Sequence, residues 1–119
     1  MTARQFFATR AEPSALEIEI LRPVGSLADD AVLQELDLLL NELRTRQPRA
    51  VIIDFRQVAY FGSSLLEALR ALWKEVQATG GRMVLCNLSP VGREIVELAK
   101  FDHVWPIVDT LAEARQRLA

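Results

Sequence analysis

The stretch AVIIDFRQVAYFGSSLLEAL, residues 50–69, joins a strand to a helix and decides the fold class. Residues 50–55 form a run dominated by β-branched side chains, which is typical of a strand covered on both faces. A helix is predicted from Ser64 to Thr79, and Gly80 and Gly81 end it because glycine adopts the left-handed conformation that closes a helix. We expect Val51 to Asp54 to be central in a sheet. The residues expected to form the core stripe of the helix are Leu65, Leu69, Leu72 and Val76.

Two strands and a helix are predicted upstream of this unit. Residues 15–21 alternate apolar and acidic side chains, as a strand with one face in water does, and we expect residues 6–8 to pair with them across a turn at 12–14. Residues 29–46 predict a helix, because aspartates in the first turn and arginines in the last complement the helix dipole. Pro48 closes this segment. The leucines expected on its core face are Leu33, Leu36, Leu40 and Leu43.

The remaining elements alternate in the same way downstream. Residues 82–87 predict a second buried strand, and Ser89 with Pro90 predicts the start of a helix that reaches about Lys100. Residues 104–108 predict a short strand, and the capping box from Thr110 to Glu113 opens a C-terminal helix. Alternating strands and helices imply parallel pairing, with the first hairpin as an antiparallel edge. The expected fold is one compact α/β domain, residues 1–119, with a mixed sheet of four or five strands.

Composition and charge exclude several classes of function. Half of the 119 residues are hydrophobic, a quarter are charged and the net charge is −2, so binding to nucleic acid is not expected. No segment has the roughly 20 apolar residues of a membrane span or the apolar core of a signal peptide, and we expect a cytoplasmic protein. The single cysteine, Cys86, excludes an internal disulfide and a thiolate-rich metal site.

The residue types used in catalysis do not form a recognisable active site. His103 has no local partner for acid–base work and is expected to be a partly exposed loop residue, whereas Cys86 lies in an apolar strand and is expected to be a buried, inert thiol. The sequence after Gly62 does not match the G-x-S-x-G elbow of serine hydrolases. Asp54 could mimic the phosphorylated aspartate of a receiver domain, but the lysine of that site is missing. We therefore predict no enzymatic activity, no metal and no cofactor.

The two serines between strand and helix remain to be explained. Ser64 and Glu67 have the spacing of a capping box, which makes Ser64 the expected N-cap. Ser63 is then left just outside the helix, where free backbone N–H groups and the positive end of the dipole favour an added phosphate.

The order of these segments, and the residues at their junctions, resemble a STAS domain, specifically the bacterial anti-sigma factor antagonists. That family has a strand, the pattern Asp-Leu-x-x-Val-x-Phe-Ile-Asp-Ser-Ser-Gly-Leu, a helix, Gly-Gly, a strand, Asn and a further helix. Here residues 51–66 are VIIDFRQVAYFGSSLL, and residues 80–90 are GGRMVLCNLSP. The resemblance covers about residues 15–118. Its other parts are the early Gly-x-Leu at 25–27, the closing helix at 91–98 and the closing strand at 101–107.

The resemblance implies a switch without catalytic activity. Such proteins bind an anti-sigma factor that is itself a serine kinase, and so release the sigma factor. The kinase phosphorylates a serine at the helix start, and a serine phosphatase resets the switch. Carried over by position, the acceptor is Ser63 rather than Ser64, and no cofactor is implied because ATP belongs to the kinase. Two positions depart from the pattern, since Gly62 replaces its Asp and Leu65 its Gly.

The same edge is the expected protein contact. We expect Gly62, Ser63, Ser64, Leu65 and Leu66 to bind the partner, with one of the two leucines facing the core. The alternative function is a STAS domain that is not phosphorylated and acts as a scaffold or accessory subunit of a stressosome-like or transporter complex.

Overall fold

The fold is a five-stranded sheet with helices on both faces. The computed structural model describes residues 4–13 and 15–118. The strands lie side by side in chain order, β1-β2-β3-β4-β5, with β1 antiparallel to β2 and every other pair parallel. The strands are β1 (Phe7–Ala11), β2 (Leu16–Ile20), β3 (Ala50–Asp54), β4 (Arg82–Cys86) and β5 (Ile107–Val108). The helices are α1 (Asp30–Arg46), α2 (Ser63–Ala78), α3 (Pro90–Leu98) and α4 (Leu111–Leu118).

The central strand β3 is buried along its whole length, as the sequence predicts. Ile53 pairs with Ile18 on β2 and with Leu85 on β4, and all three side chains belong to the larger core. That core lies between one face of the sheet and helices α1, α2 and α3. The second face carries a smaller core under α4. Both faces of β3 are therefore covered, which explains its continuous apolar run.

Two predicted core stripes have different outcomes. The stripe predicted for α2 is confirmed, since all four of its residues are buried. In α1 the prediction is half wrong, because Leu33 is exposed and Leu40 is only partly buried. The helix is turned so that a slightly different set of positions faces the sheet. The buried residues of α1 are Val32, Leu36, Leu39 and Leu43.

The last predicted strand, residues 104–108, is wrong over its first half. A one-turn 3-10 helix at Phe101–His103 precedes it, and the strand is limited to Ile107–Val108. The physical reason is Trp105, which is fully buried and stacks on Phe101 with ring centroids 4.5 Å apart. Placing this indole in the core requires a turn where the sequence pattern predicts extended backbone.

The ends of the other elements are close to their predicted positions. The hairpin of β1 and β2 is confirmed, although β1 begins at Phe7 and extends to Ala11, and Ser14 of the predicted turn lies outside the described residues. Ser89 caps α3 and Thr110 accepts a hydrogen bond in the predicted box with Glu113. None of the helices in residues 4–13 and 15–118 is long and apolar enough to cross a membrane.

Candidate functional site

The loop between β3 and α2 is held in place by buried aromatic residues. Phe55 and Phe61 are both buried, and their rings stack with centroids 5.2 Å apart. Between them, the N–H of Val58 donates to the carbonyl of Phe55 at 3.0 Å. These anchors turn the chain outward at Tyr60, whose exposed fraction of 68% is large for an aromatic residue. The loop is thus a fixed support for the residues that follow it.

The start of α2 differs from the predicted capping box. The N-cap is Gly62, in extended conformation with no side-chain cap, and Ser63 is the first helical residue. The prediction that Ser64 is the N-cap is therefore wrong. Its hydroxyl instead donates to the carbonyl of Gly25, at a long 3.4 Å. Because Phe61 is fixed in the core, the N-cap lies two residues earlier than the Ser–Glu spacing indicates.

The two serines and two leucines differ in exposure. Ser63 is exposed and Ser64 is half-buried. Leu65 is completely buried in the larger core, and this removes it from the surface predicted to bind a partner. Leu66 is partly buried and packs at the edge of the same core. The expectation that one leucine faces inward is confirmed, and only Leu66 of the pair reaches solvent.

The electrostatics at Ser63 favour an added negative charge. In the described part of the chain, a side chain caps α1, α3 and α4, through Asp29, Ser89 and Thr110, whereas none caps α2. The first turn of α2 also has no acidic residue. Its free N–H groups and the positive end of its dipole are therefore not compensated by any side chain described here.

A polar cluster that the sequence analysis missed lies at the carboxyl ends of β3 and β4. Asp54 is 95% buried, and its Oδ1 accepts hydrogen bonds from the backbone N–H of Arg56 and from Nδ2 of Asn87, both at 2.9 Å. Asn87 has a left-handed φ of 59°. The hydroxyl of Ser89 donates to the carbonyl of Ala59 and accepts from an N–H of its own helix. The signal available in the sequence was the position of these polar residues just after adjacent parallel strands.

The cluster ties the serine loop to the start of α3. Asp54 and Asn87 connect the strand ends, and Ser89 connects α3 to the loop backbone. The ring of Phe61 also packs so closely on α3 that a Cβ at Gly92 would lie 3.2 Å from it. On the other side, a hydrogen bond to Glu19 raises the pKa of Arg56. The loop geometry is thus set by contacts on three sides.

The remaining candidate residues are not arranged for catalysis. The His103 side chain is 81% exposed in the 3-10 helix, and its nearest carboxylate, Asp102, is 4.0 Å away. Burial raises the pKa of the Cys86 thiol to about 12, with a further contribution from the charge of Asp54. Such a thiol is protonated, and hence a poor nucleophile, near neutral pH. Within residues 4–13 and 15–118, no group of three or more His, Cys, Asp or Glu side chains could hold a metal ion.

Comparison with known proteins shows that both the sequence and the fold match one domain family. A model of the STAS domain matches residues 13–114. The protein BtrV of Bordetella bronchiseptica, named as an anti-sigma factor antagonist, is 25% identical over 84 residues, which cover 71% of this chain and 72% of that protein.

Solved structures show the same arrangement of elements. An anti-sigma-factor antagonist (STAS) domain protein from Planctomyces limnophilus is 29% identical, with a TM-score of 0.79 over 96% of this chain and 98% of that one. The phosphorylated form of the Bacillus cell fate determinant SpoIIAA is 20% identical, with a TM-score of 0.71 over 95% of this chain and 99% of that one. At 20% identity this likeness shows the fold alone.

Proposed function

The chain belongs to the STAS domain family, and from this premise we propose that it is an anti-sigma factor antagonist controlled by phosphorylation of Ser63. Its partner is an anti-sigma factor that is also a serine kinase, and a serine phosphatase reverses the modification. The chain itself is cytoplasmic and has no enzymatic activity. The names of BtrV and of the Planctomyces protein support the antagonist role. SpoIIAA, which shares the fold at 20% identity, has a phosphorylated form, and this motivates the proposed mode of control.

The observation that carries this proposal is the exposed Ser63 at a helix N-terminus with no side-chain cap. A phosphate there adds close to two negative charges beside free N–H groups, and so it stabilises the helix rather than unfolding it. At the half-buried Ser64 the same group would lie closer to the core. Gly62 stands where the family pattern has Asp, so the loop lacks that carboxylate. Glycine also gives the loop backbone more freedom to enter a kinase active site.

The test is phosphorylation by the cognate kinase, with the two serines compared. The chain is co-expressed with the anti-sigma factor kinase encoded nearest its gene, and intact-mass and fragment analysis locate any phosphate. We expect one phosphate on Ser63 in the wild type and in Ser64→Ala, and none in Ser63→Ala. We also expect Ser63→Asp to lose binding to the kinase, with unchanged resistance to urea.

Two results would contradict the proposal. Phosphate on Ser64 in the Ser63→Ala variant, at wild-type stoichiometry, would assign the switch to the other serine. If neither serine is modified and Ser63→Asp binds as the wild type does, the chain is a constitutive STAS scaffold or accessory subunit, of a stressosome-like or transporter complex.

A further inference from the structure

The second face of the sheet is covered by α4 through few apolar contacts. Ala114 is the one residue of Leu111–Leu118 that is buried completely, while Leu111 and Leu118 are partly buried. Since stabilisation by burial follows the apolar area removed from water, α4 is held less strongly by packing than α1 or α2. The buried residues of this smaller core are Ala15, Ala50, Ile52, Val84, Cys86 and Ala114.

An ion pair between a buried carboxylate and a partly exposed guanidinium also attaches α4 to the sheet. Nε and Nη2 of Arg115 on α4 donate to the two carboxylate oxygens of Glu17 on β2, at 2.6 and 2.8 Å. The Glu17 side chain is 8% exposed and that of Arg115 is 46% exposed. Paired hydrogen bonds of this kind between charged groups are strong and depend on orientation. This contact joins residues at opposite ends of the sequence.

We propose that α4 is a releasable cover on the sheet, held closed by the ion pair between Glu17 and Arg115. With the pair intact, closing α4 satisfies the Glu17 carboxylate. Without Arg115, closing α4 buries that carboxylate without the guanidinium that pairs with it, and opening α4 lets water hydrate the charge. The ion pair therefore determines how often the cover opens.

The surroundings of α4 permit this movement without rearrangement of the main core. A cleft of about 340 Å³ lies beside the first turn of α4, between Leu111 and strand β1, and its lining includes Glu17 and Glu19. The larger core and the three helices that cover it lie on the opposite face of the sheet from α4. Release of α4 thus uncovers Ile52, Val84 and Cys86 and leaves the packing of α1, α2 and α3 intact.

Cys86 reports this opening directly. It is the single cysteine of the chain and is fully buried beneath α4. Alkylation of its thiol therefore requires either release of α4 or unfolding of the whole chain. The two routes are separated by denaturant, because local opening exposes little surface and depends weakly on urea, whereas global unfolding depends on it steeply.

The experiment measures the alkylation rate of Cys86 by iodoacetamide in the full chain, at urea concentrations below the unfolding transition. We expect Arg115→Met to raise the rate at least about tenfold by a route nearly independent of urea. The double variant Glu17→Met with Arg115→Met replaces the ion pair with an apolar pair and should return the rate to the wild-type range. Arg117→Met, an exposed change on the same helix, is the matched control and should leave the rate unchanged.

Three results would overturn the proposal. Equal rates for the wild type and Arg115→Met would show that the ion pair does not hold α4 closed. Labelling that follows global unfolding in every variant would show that α4 does not open separately. A fast rate that persists in the double variant would mean that lost packing of the arginine stem, rather than the unpaired Glu17, opens the helix.

Discussion

At the scale of single residues, burial decides the chemistry of Cys86. Its thiol lies on β4 beneath α4, and removal from water raises its pKa from 9.0 to about 12. The unfolded chain exposes the same thiol, whose pKa is then near its ordinary value. The difference in pKa between the two states makes the stability of the protein depend on pH.

We predict that the free energy of unfolding falls as pH rises from 9 towards 12, in the window between these two pKa values of Cys86. Here the unfolded chain loses the thiol proton while the folded chain keeps it, so the unfolded state binds fewer protons. The expected slope from this group is about −1.4 kcal/mol per pH unit. Urea unfolding of the wild type and Cys86→Ala at several pH values measures it. If the difference in stability between them is constant from pH 8 to 11, the thiol is not protected as described.

Ser63 and Ser64 show what a residue pattern can and cannot predict. The sequence correctly indicates that a helix begins at the serines, because their spacing to Glu67 is that of a helix start. The exact N-cap depends on where the buried ring of Phe61 fixes the loop, and the packing of that ring against Gly92 of α3 is a tertiary contact. The adjacent Gly62 became the cap as a result.

At the scale of elements, α2 ends where its sequence predicts, for two different reasons. Gly80 has a left-handed φ of 77°, which glycine adopts without steric cost. Gly81 is required by close packing instead, since a Cβ there would lie 2.9 Å from Cγ1 of Val76 and 3.0 Å from the carbonyl oxygen of Pro48. A backbone carbonyl cannot move aside as a side chain does.

We predict that Gly81→Ala lowers the free energy of unfolding by about 1–3 kcal/mol, because the added methyl group overpacks this junction. Gly25→Ala is the matched control, since a Cβ at Gly25 meets nothing within 4 Å, and it should change stability by less than about 0.5 kcal/mol. Urea unfolding monitored by tryptophan fluorescence gives both values. Equal stability of the two variants would show that the α2–β4 junction can expand.

At the scale of the whole molecule, parallel pairing brings separate loops to one edge. The segments after β3 and β4 meet there, since the carboxyl ends of parallel strands share an edge of the sheet. As a result, Tyr60, Ser63 and the start of α3 belong to one region, connected through Ser89 and Ala59. The proposed contact with the anti-sigma factor is therefore an assembled surface rather than a linear motif.

We predict that Leu66→Asp weakens binding to the anti-sigma factor by about 30-fold or more, because it replaces an apolar side chain at the centre of the proposed interface with a charged one. Leu66 is partly packed on the core, so a loss of stability of about 1 kcal/mol is also expected. Leu38→Asp, on α1, changes a half-exposed leucine in the same way and should bind as the wild type does. Calorimetric titration compares the three proteins. Wild-type affinity of Leu66→Asp would place the contact elsewhere.

The sequence by itself determined the alternation of strands and helices, the central position of β3 and the location of the serine loop. These features follow from local spacing, because period and β-branching report which faces of an element are buried. Only the tertiary structure decided the short β5, the cap at Gly62 and the pairing of Glu17 with Arg115. Each depends on residues distant in sequence that meet in one place: Trp105 entering the core, Phe61 packing against Gly92 of α3, and an arginine on α4 pairing with a carboxylate on β2. Local sequence patterns do not predict such contacts, because the neighbours of a side chain across the sheet are set by how the elements pack.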